Sequence, residues 1–95
     1  MESINSIIHQ PVRLNIMSLL HMDKSITFSE LKKELNLSDG NLGTHLEKLG
    51  KEKYIRIEKS FVNKKPQSTI IIEKLWEKEL LAYITNIEKL FKWIN

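Results

Sequence analysis

The apolar positions of this chain change their period along its length, and the changes divide it into elements. Pro11, whose fixed φ suits the first position of a helix, is followed by Val12, Ile16, Leu19 and Leu20 on one helical face as far as His21. Ile4, Ile7 and Ile8 make a shorter apolar stripe ahead of it. Two helix starts come next. In Ile26-Thr27-Phe28-Ser29-Glu30-Leu31, Thr27 is an N-cap and Glu30 its capping-box partner, with Ile26 and Leu31 in the staple positions, so a helix is expected through about Leu35. In Leu37-Ser38-Asp39-Gly40-Asn41-Leu42, Ser38 caps a second helix, and Leu37 and Leu42 repeat the staple. Only Asn36 to Ser38 separates the two, which is a helix-turn-helix, and the preceding helix completes a three-helix core.

The second motif helix sorts its faces. Leu42, Leu46 and Leu49 fall within about 60° of one another, while Asn41, Thr44, Lys48 and Lys51 cluster on the far side. One face packs and the other is free to read a partner. Gly40 and Gly43 each cost this helix up to about 1 kcal/mol against Ala, so a close approach should compensate. Packing against the preceding helix is expected at Gly43, and Gly40 stays open between such packing and a DNA backbone.

After Lys53 the period becomes two. Ile55 and Ile57 alternate with Tyr54, Arg56 and Glu58, and beyond the polar interruption Asn63-Lys64-Lys65-Pro66 the β-branched run Ser68 to Ile72 makes the second strand of a hairpin. Phe61 and Val62, at the base of the loop, are expected to anchor it in the core. From about Glu73 to Ile94 the period returns to helical. Trp76, Leu80, Tyr83, Ile87, Leu90 and Ile94 recur at heptad spacing, and Leu81, Ile84 and Phe91 widen the seam. At 1.5 Å per residue such a helix spans about 33 Å, more than a three-helix core can cover. A homodimer built on Trp76, Leu80, Tyr83, Ile84, Ile87, Leu90, Phe91 and Ile94, with Ile4, Ile7 and Ile8 beside them, is therefore expected. The other reading folds this helix back on its own domain.

Composition narrows the chemistry. The 95 residues contain no cysteine, which excludes disulfides, thiolate metal sites and cysteine nucleophiles, and they suffice for one domain rather than a large enzyme fold. No run approaches the roughly 18 apolar residues of a membrane span and no secretory pattern opens the chain, so a cytoplasmic protein is expected. His9, His21 and His45 are not paired at metal-ligand spacing, and no phosphate loop or catalytic set stands out. No enzyme activity, cofactor or metal is expected, and the aromatic residues of the last helix are read as packing rather than as an effector pocket.

The net charge of +3 is uneven. Residues 1–23 sum to −1, residues 24–66 to +4 and residues 67–95 to 0, and Lys48 to Lys65 alone carries seven basic residues against Glu52 and Glu58. A concentrated patch of this kind is the footprint of a polyanion partner, although a solvated lysine-rich surface has the same charge.

The order helix, helix-turn-helix, basic hairpin and long apolar helix is that of a winged helix-turn-helix, an α+β fold that is mainly α. Several segments also resemble the small winged-helix transcription regulators of the broad ArsR/MarR-type group: Phe28-Ser29-Glu30-Leu31, Leu35-Asn36-Leu37-Ser38-Asp39-Gly40-Asn41-Leu42, His45-Leu46-Glu47-Lys48-Leu49, Tyr54-Ile55 and Lys59-Ser60-Phe61-Val62-Asn63-Lys64-Lys65-Pro66. The resemblance implies a dimer that places the second motif helix in the major groove of double-stranded DNA and each hairpin wing on the flanking backbone or minor groove. It puts Ser38, Asn41, Thr44, His45 and Lys48 on the recognition helix and Lys64 and Lys65 on the wing tip; the basic stretch adds Lys51, Arg56 and Lys59. Residues 1–72 would form the DNA-binding domain and residues 73–95 the dimerisation helix of the same unit. Two positions depart from the group's pattern. Lys53 stands where a glycine often precedes the first wing strand, and a left-handed cap there would strain it; Ile72-Glu73-Lys74-Leu75 replaces the usual Thr-Glu-x-Gly. The expected function is sequence-specific transcription regulation, with repression as the default by analogy. A protein-binding winged-helix module and an architectural DNA-binding protein without sequence preference remain the alternatives.

Overall fold

The computed structural model describes residues 6–94. In chain order it has α1 (Pro11–Asp23), β1 (Ser25–Thr27), α2 (Phe28–Leu35), α3 (Asp39–Lys51), β2 (Ile55–Val62), β3 (Lys65–Ile72) and α4 (Lys74–Ile94). The first three helices begin where side chains satisfy the free N–H groups of the first turn. Gln10 Oε1 accepts from the Arg13 N–H at 2.8 Å. Thr27 Oγ1 accepts from the Glu30 N–H while Glu30 Oε1 accepts from the Thr27 N–H, which closes the expected capping box. Ser38 Oγ accepts from the Asn41 N–H at 3.1 Å.

Three helices end on residues of positive φ, the first of them α1 on Lys24 at φ 68°. Asn36, at φ 52°, stops α2 as its own N–H and that of Leu37 turn back to Lys33 and Lys32. Lys53, at φ 63°, does the same after α3: its N–H donates to the Gly50 carbonyl, and the Tyr54 N–H donates to that of Leu49. The group's usual glycine is thus replaced by a residue that holds the strained conformation.

The sheet is antiparallel in the order β1-β3-β2. β1 is an addition to the expected hairpin; its three residues are too few to show a period, and they pair Ser25, Ile26 and Thr27 with Ile71, Ile70 and Thr69. The wing is also longer than its sequence suggests. Asn63 and Lys64 alone form the turn, at φ 52° and 63°, the signature of a two-residue hairpin whose twist matches its strands. Lys65 and Pro66 belong to β3. In such a hairpin the closing pair Val62–Lys65 is hydrogen-bonded, so Phe61–Pro66 is not, and the proline nitrogen faces away from β2, past the end of β1.

This length corrects the expectation for Phe61 and Val62. The two residues ride out with the distal hairpin, beyond the reach of the core, and are 79% and 46% exposed.

The core joins Ile16, Met17 and Leu20 of α1 to Leu31, to Leu42, Leu46 and Leu49 of α3, and to Ile26, Ile55, Ile70 and Ile72 of the sheet. It also takes Ile8, Leu80 and Tyr83, which corrects their place in the expected dimer interface: Ile8 and Leu80 are fully buried within the one chain. Trp76 stacks on Tyr54 at a centroid distance of 3.7 Å, and the Tyr83 hydroxyl is hydrogen-bonded to His9 Nδ1 at 2.5 Å. Ile7 and Ile84 pack partly buried against the same core. The first turns of α4 thus fold back on their own domain, and the heptad seam divides, leaving Ile87, Leu90 and Phe91 exposed on its distal half. Ile4 and the side chain of Ile94 lie outside the described residues. Among the described residues no helix is long and apolar enough to cross a membrane.

Candidate nucleic-acid interface

The solvent face of α3 carries Asn41, Thr44, Lys48 and Lys51, all exposed, opposite the buried Leu42, Leu46 and Leu49. Two of these polar groups are engaged within the helix: Thr44 Oγ1 donates to the Gly40 carbonyl at 2.9 Å, and Lys51 lies 3.5 Å from Glu47. Ser38 spends its hydroxyl on the cap. The glycines are not demanded by packing. A Cβ at Gly40 or Gly43 would meet nothing within 4 Å, so helix packing does not account for Gly43 as expected.

His45 sits on the flank of α3 that meets α1. Its Nδ1 lies 3.3 Å from Nη1 of Arg13, and Arg13 Nε donates to the Ile7 carbonyl at 2.6 Å. A guanidinium has donors and no acceptor, so Nδ1 accepts and the ring carries its proton on Nε2. Partial burial first, then the charges of Arg13 and Lys48, hold the His45 pKa below the ordinary imidazole value. Arg13 is the residue that sequence reasoning passed over. Its signal was an arginine inside the apolar stripe, since Arg13, Ile16, Met17 and Leu20 are the buried positions of α1.

The basic stretch separates into paired and unpaired cations. Arg56 donates to Glu73 at 2.8 Å and to Glu58 at 3.3 Å, bonds that raise its pKa further and leave its charge largely compensated. Lys32 of α2 bridges to Asp39 at the start of α3 at 2.8 Å. Among the described residues, Lys48, Lys53, Lys59, Lys64 and Lys65 have no carboxylate within ion-pair reach, and these lie on α3 and the wing or just between them. An open groove of about 320 Å³ runs between the two, walled by Gly43, Leu46 and Glu47 of α3 and by Ile57, Lys59, Ser68 and Ile70 of the sheet. The arrangement offers hydrogen-bond donors and ammonium groups without a carboxylate partner to an extended anion, and among the described residues no group of His, Asp and Glu could hold a metal.

Residues 12–91 match the family described as the winged helix DNA-binding domain. An uncharacterised protein of Methanocaldococcus jannaschii is 34% identical over 89 residues, which span 94% of this chain and 97% of that protein. Among solved structures, a transcriptional regulator homologue from Pyrococcus horikoshii OT3 superposes with a TM-score of 0.88 at 25% identity, over 94% of this chain and 88% of that one. An ArsR family transcriptional regulator, RHA00566, shares the fold at a TM-score of 0.63 and 21% identity, covering 90% and 84% of the two chains. So does the AntR antimony-specific transcriptional repressor, at 0.66 and 12%, covering 97% and 90%.

Proposed function

This chain belongs to the winged helix DNA-binding domain family and is a small DNA-binding transcription regulator rather than an enzyme, and we propose that it reads a specific, pseudo-palindromic operator as a homodimer and represses by occluding it. The observation that carries this reading is the pairing of a polar α3 face bearing the unpaired Lys48 with a wing bearing the unpaired Lys59, Lys64 and Lys65. In the major groove Asn41 and Thr44 would meet base edges, and Lys48 a guanine or a phosphate. Ser38 and Lys51 border the same face. Lys59, Lys64 and Lys65 would meet phosphates, and Arg56 only after exchanging a carboxylate for a phosphate. His45 would contribute through Nε2–H.

The second copy is proposed on the distal half of α4, through Ile87, Leu90 and Phe91, which would set two recognition helices about 34 Å apart, one turn of DNA. Residues 1–72 would then be the DNA-reading part and residues 73–95 the dimer helix, sharing one core and acting in the cytoplasm. Gel shifts against genomic and random duplexes over a salt series test this. The expected result is a preferred sequence, together with a salt slope that Lys64→Gln with Lys65→Gln makes shallower by roughly two phosphate contacts. Absence of binding at low salt would refute the DNA reading, and equal affinity for all sequences would replace it with the architectural one.

A further inference from the structure

Neither the core nor the lysine contacts account for Phe61. It is 79% exposed at the end of a hairpin whose turn is polar, with Val62 exposed beside it. Its cross-strand partner is Pro66, and in a non-hydrogen-bonded pair the two side chains stand close together. By the period of two, Ile55, Ile57, Lys59 and Phe61 share one face of β2. Ile57 and Lys59 line the groove whose opposite wall is Gly43, Leu46 and Glu47 of α3. Phe61 therefore continues the face of the wing that is turned toward the recognition helix, so both address the same side of the molecule.

The chemistry around it is one-sided. From Lys59 to Ile72 there is no acidic residue, and Lys59, Lys64 and Lys65 have no ion pair among the described residues. Two such tips meeting each other would bring both sets of lysines together, so a second copy is a poor occupant. A ligand that offers an apolar interior between two rails of negative charge is the complement, and duplex DNA presents this in its minor groove. The tip is also stiff, with both turn residues in the left-handed region and the strands paired up to Val62–Lys65.

We propose that Phe61, backed by Pro66, is an apolar wedge that the wing presses into the minor groove of bound DNA, with Lys59, Lys64 and Lys65 on the flanking phosphates. The wedge rests on the DNA-binding reading above and adds to it a way of reading sequence. Side chains inserted at a base step unstack it and kink the duplex. Pyrimidine–purine steps open most easily, so the wing selects flexible steps beside the operator without a hydrogen bond to any base.

The test uses the full chain, wild type and Phe61→Ala, on a selected operator duplex labelled at its ends for energy transfer and carrying 2-aminopurine at the flanking steps. Lys64→Gln with Lys65→Gln serves as the electrostatic control. Because Phe61 is outside the core, its variant should unfold at the wild-type temperature. Losing the buried ring should weaken operator binding by about tenfold, abolish the bend and the brightening of 2-aminopurine, and leave the salt slope unchanged. The lysine variant should lower that slope. Wild-type affinity and bending in Phe61→Ala, or a duplex that wild type leaves straight and fully stacked, would overturn the wedge while the DNA reading stands. No binding by wild type at low salt would instead remove the DNA reading and the wedge with it. Loss of self-association in Phe61→Ala by sedimentation would make the tip a protein contact and refute the proposal.

Discussion

His45 shows how one contact converts a residue from a general polar group into a defined donor. Arg13 occupies Nδ1, and the partial burial that comes with that contact, together with the charges of Arg13 and Lys48, lowers the pKa. In the unfolded chain the ring returns to the ordinary value near 6.5. Below that pH the unfolded state binds the proton more readily, so the contribution of His45 to stability is complete above about 6.5 and is lost as pH falls through the lowered native value. Urea unfolding over a pH series should show this decline, and His45→Gln should remove it. An unchanged pH profile in His45→Gln would show that the ring is not held neutral by its surroundings.

At the scale of elements, α3 has the caps of a stable helix and three glycines, Gly40, Gly43 and Gly50, that its own fold does not need. Space is open at all three positions, and Thr44 folds its hydroxyl back onto the Gly40 carbonyl. The helix therefore presents backbone along its solvent face. Gly40→Ala should stabilise the fold, by up to about 1 kcal/mol in thermal or urea unfolding, because Ala loses less backbone freedom on forming a helix. If the DNA backbone or a base edge comes close there, the same variant should weaken operator binding. Opposite signs in the two measurements would assign Gly40 to the partner, and an unaltered affinity would make it neutral to binding.

Across the whole molecule, the long α4 helix divides its apolar seam between two tasks. Leu80 is fully buried and Tyr83 nearly so, while Ile87 and Leu90 are more than a third exposed and Phe91 is 69% exposed. The molecule measures 53 × 25 × 21 Å along its principal axes, an elongated shape for a chain of this size. Leu80→Ala should cost about 2–5 kcal/mol in urea unfolding, as expected for a cavity in a packed core. Ile87→Glu with Phe91→Glu should leave folding nearly intact yet yield a monomer in sedimentation, with operator affinity reduced. A dimer that survives this pair of charges would place the interface elsewhere.

Local patterns carried much of this structure. The capping box at Thr27, the Ser38 cap, the helix-turn-helix spacing and the core face of α3 are set by neighbours within a few residues, and so they are legible in the chain alone. The left-handed Lys53 was legible as a departure from a familiar pattern. The rest depended on partners distant in sequence. β1 exists because β3 pairs with it, Phe61 and Val62 are exposed because the hairpin outruns the core, and Arg56 is compensated because the sheet brings Glu73 to it. The same reason divides the heptad seam. Periodicity reports which positions of a helix are apolar; what covers them, their own core or another molecule, is decided only when the helix lies against the rest of the fold.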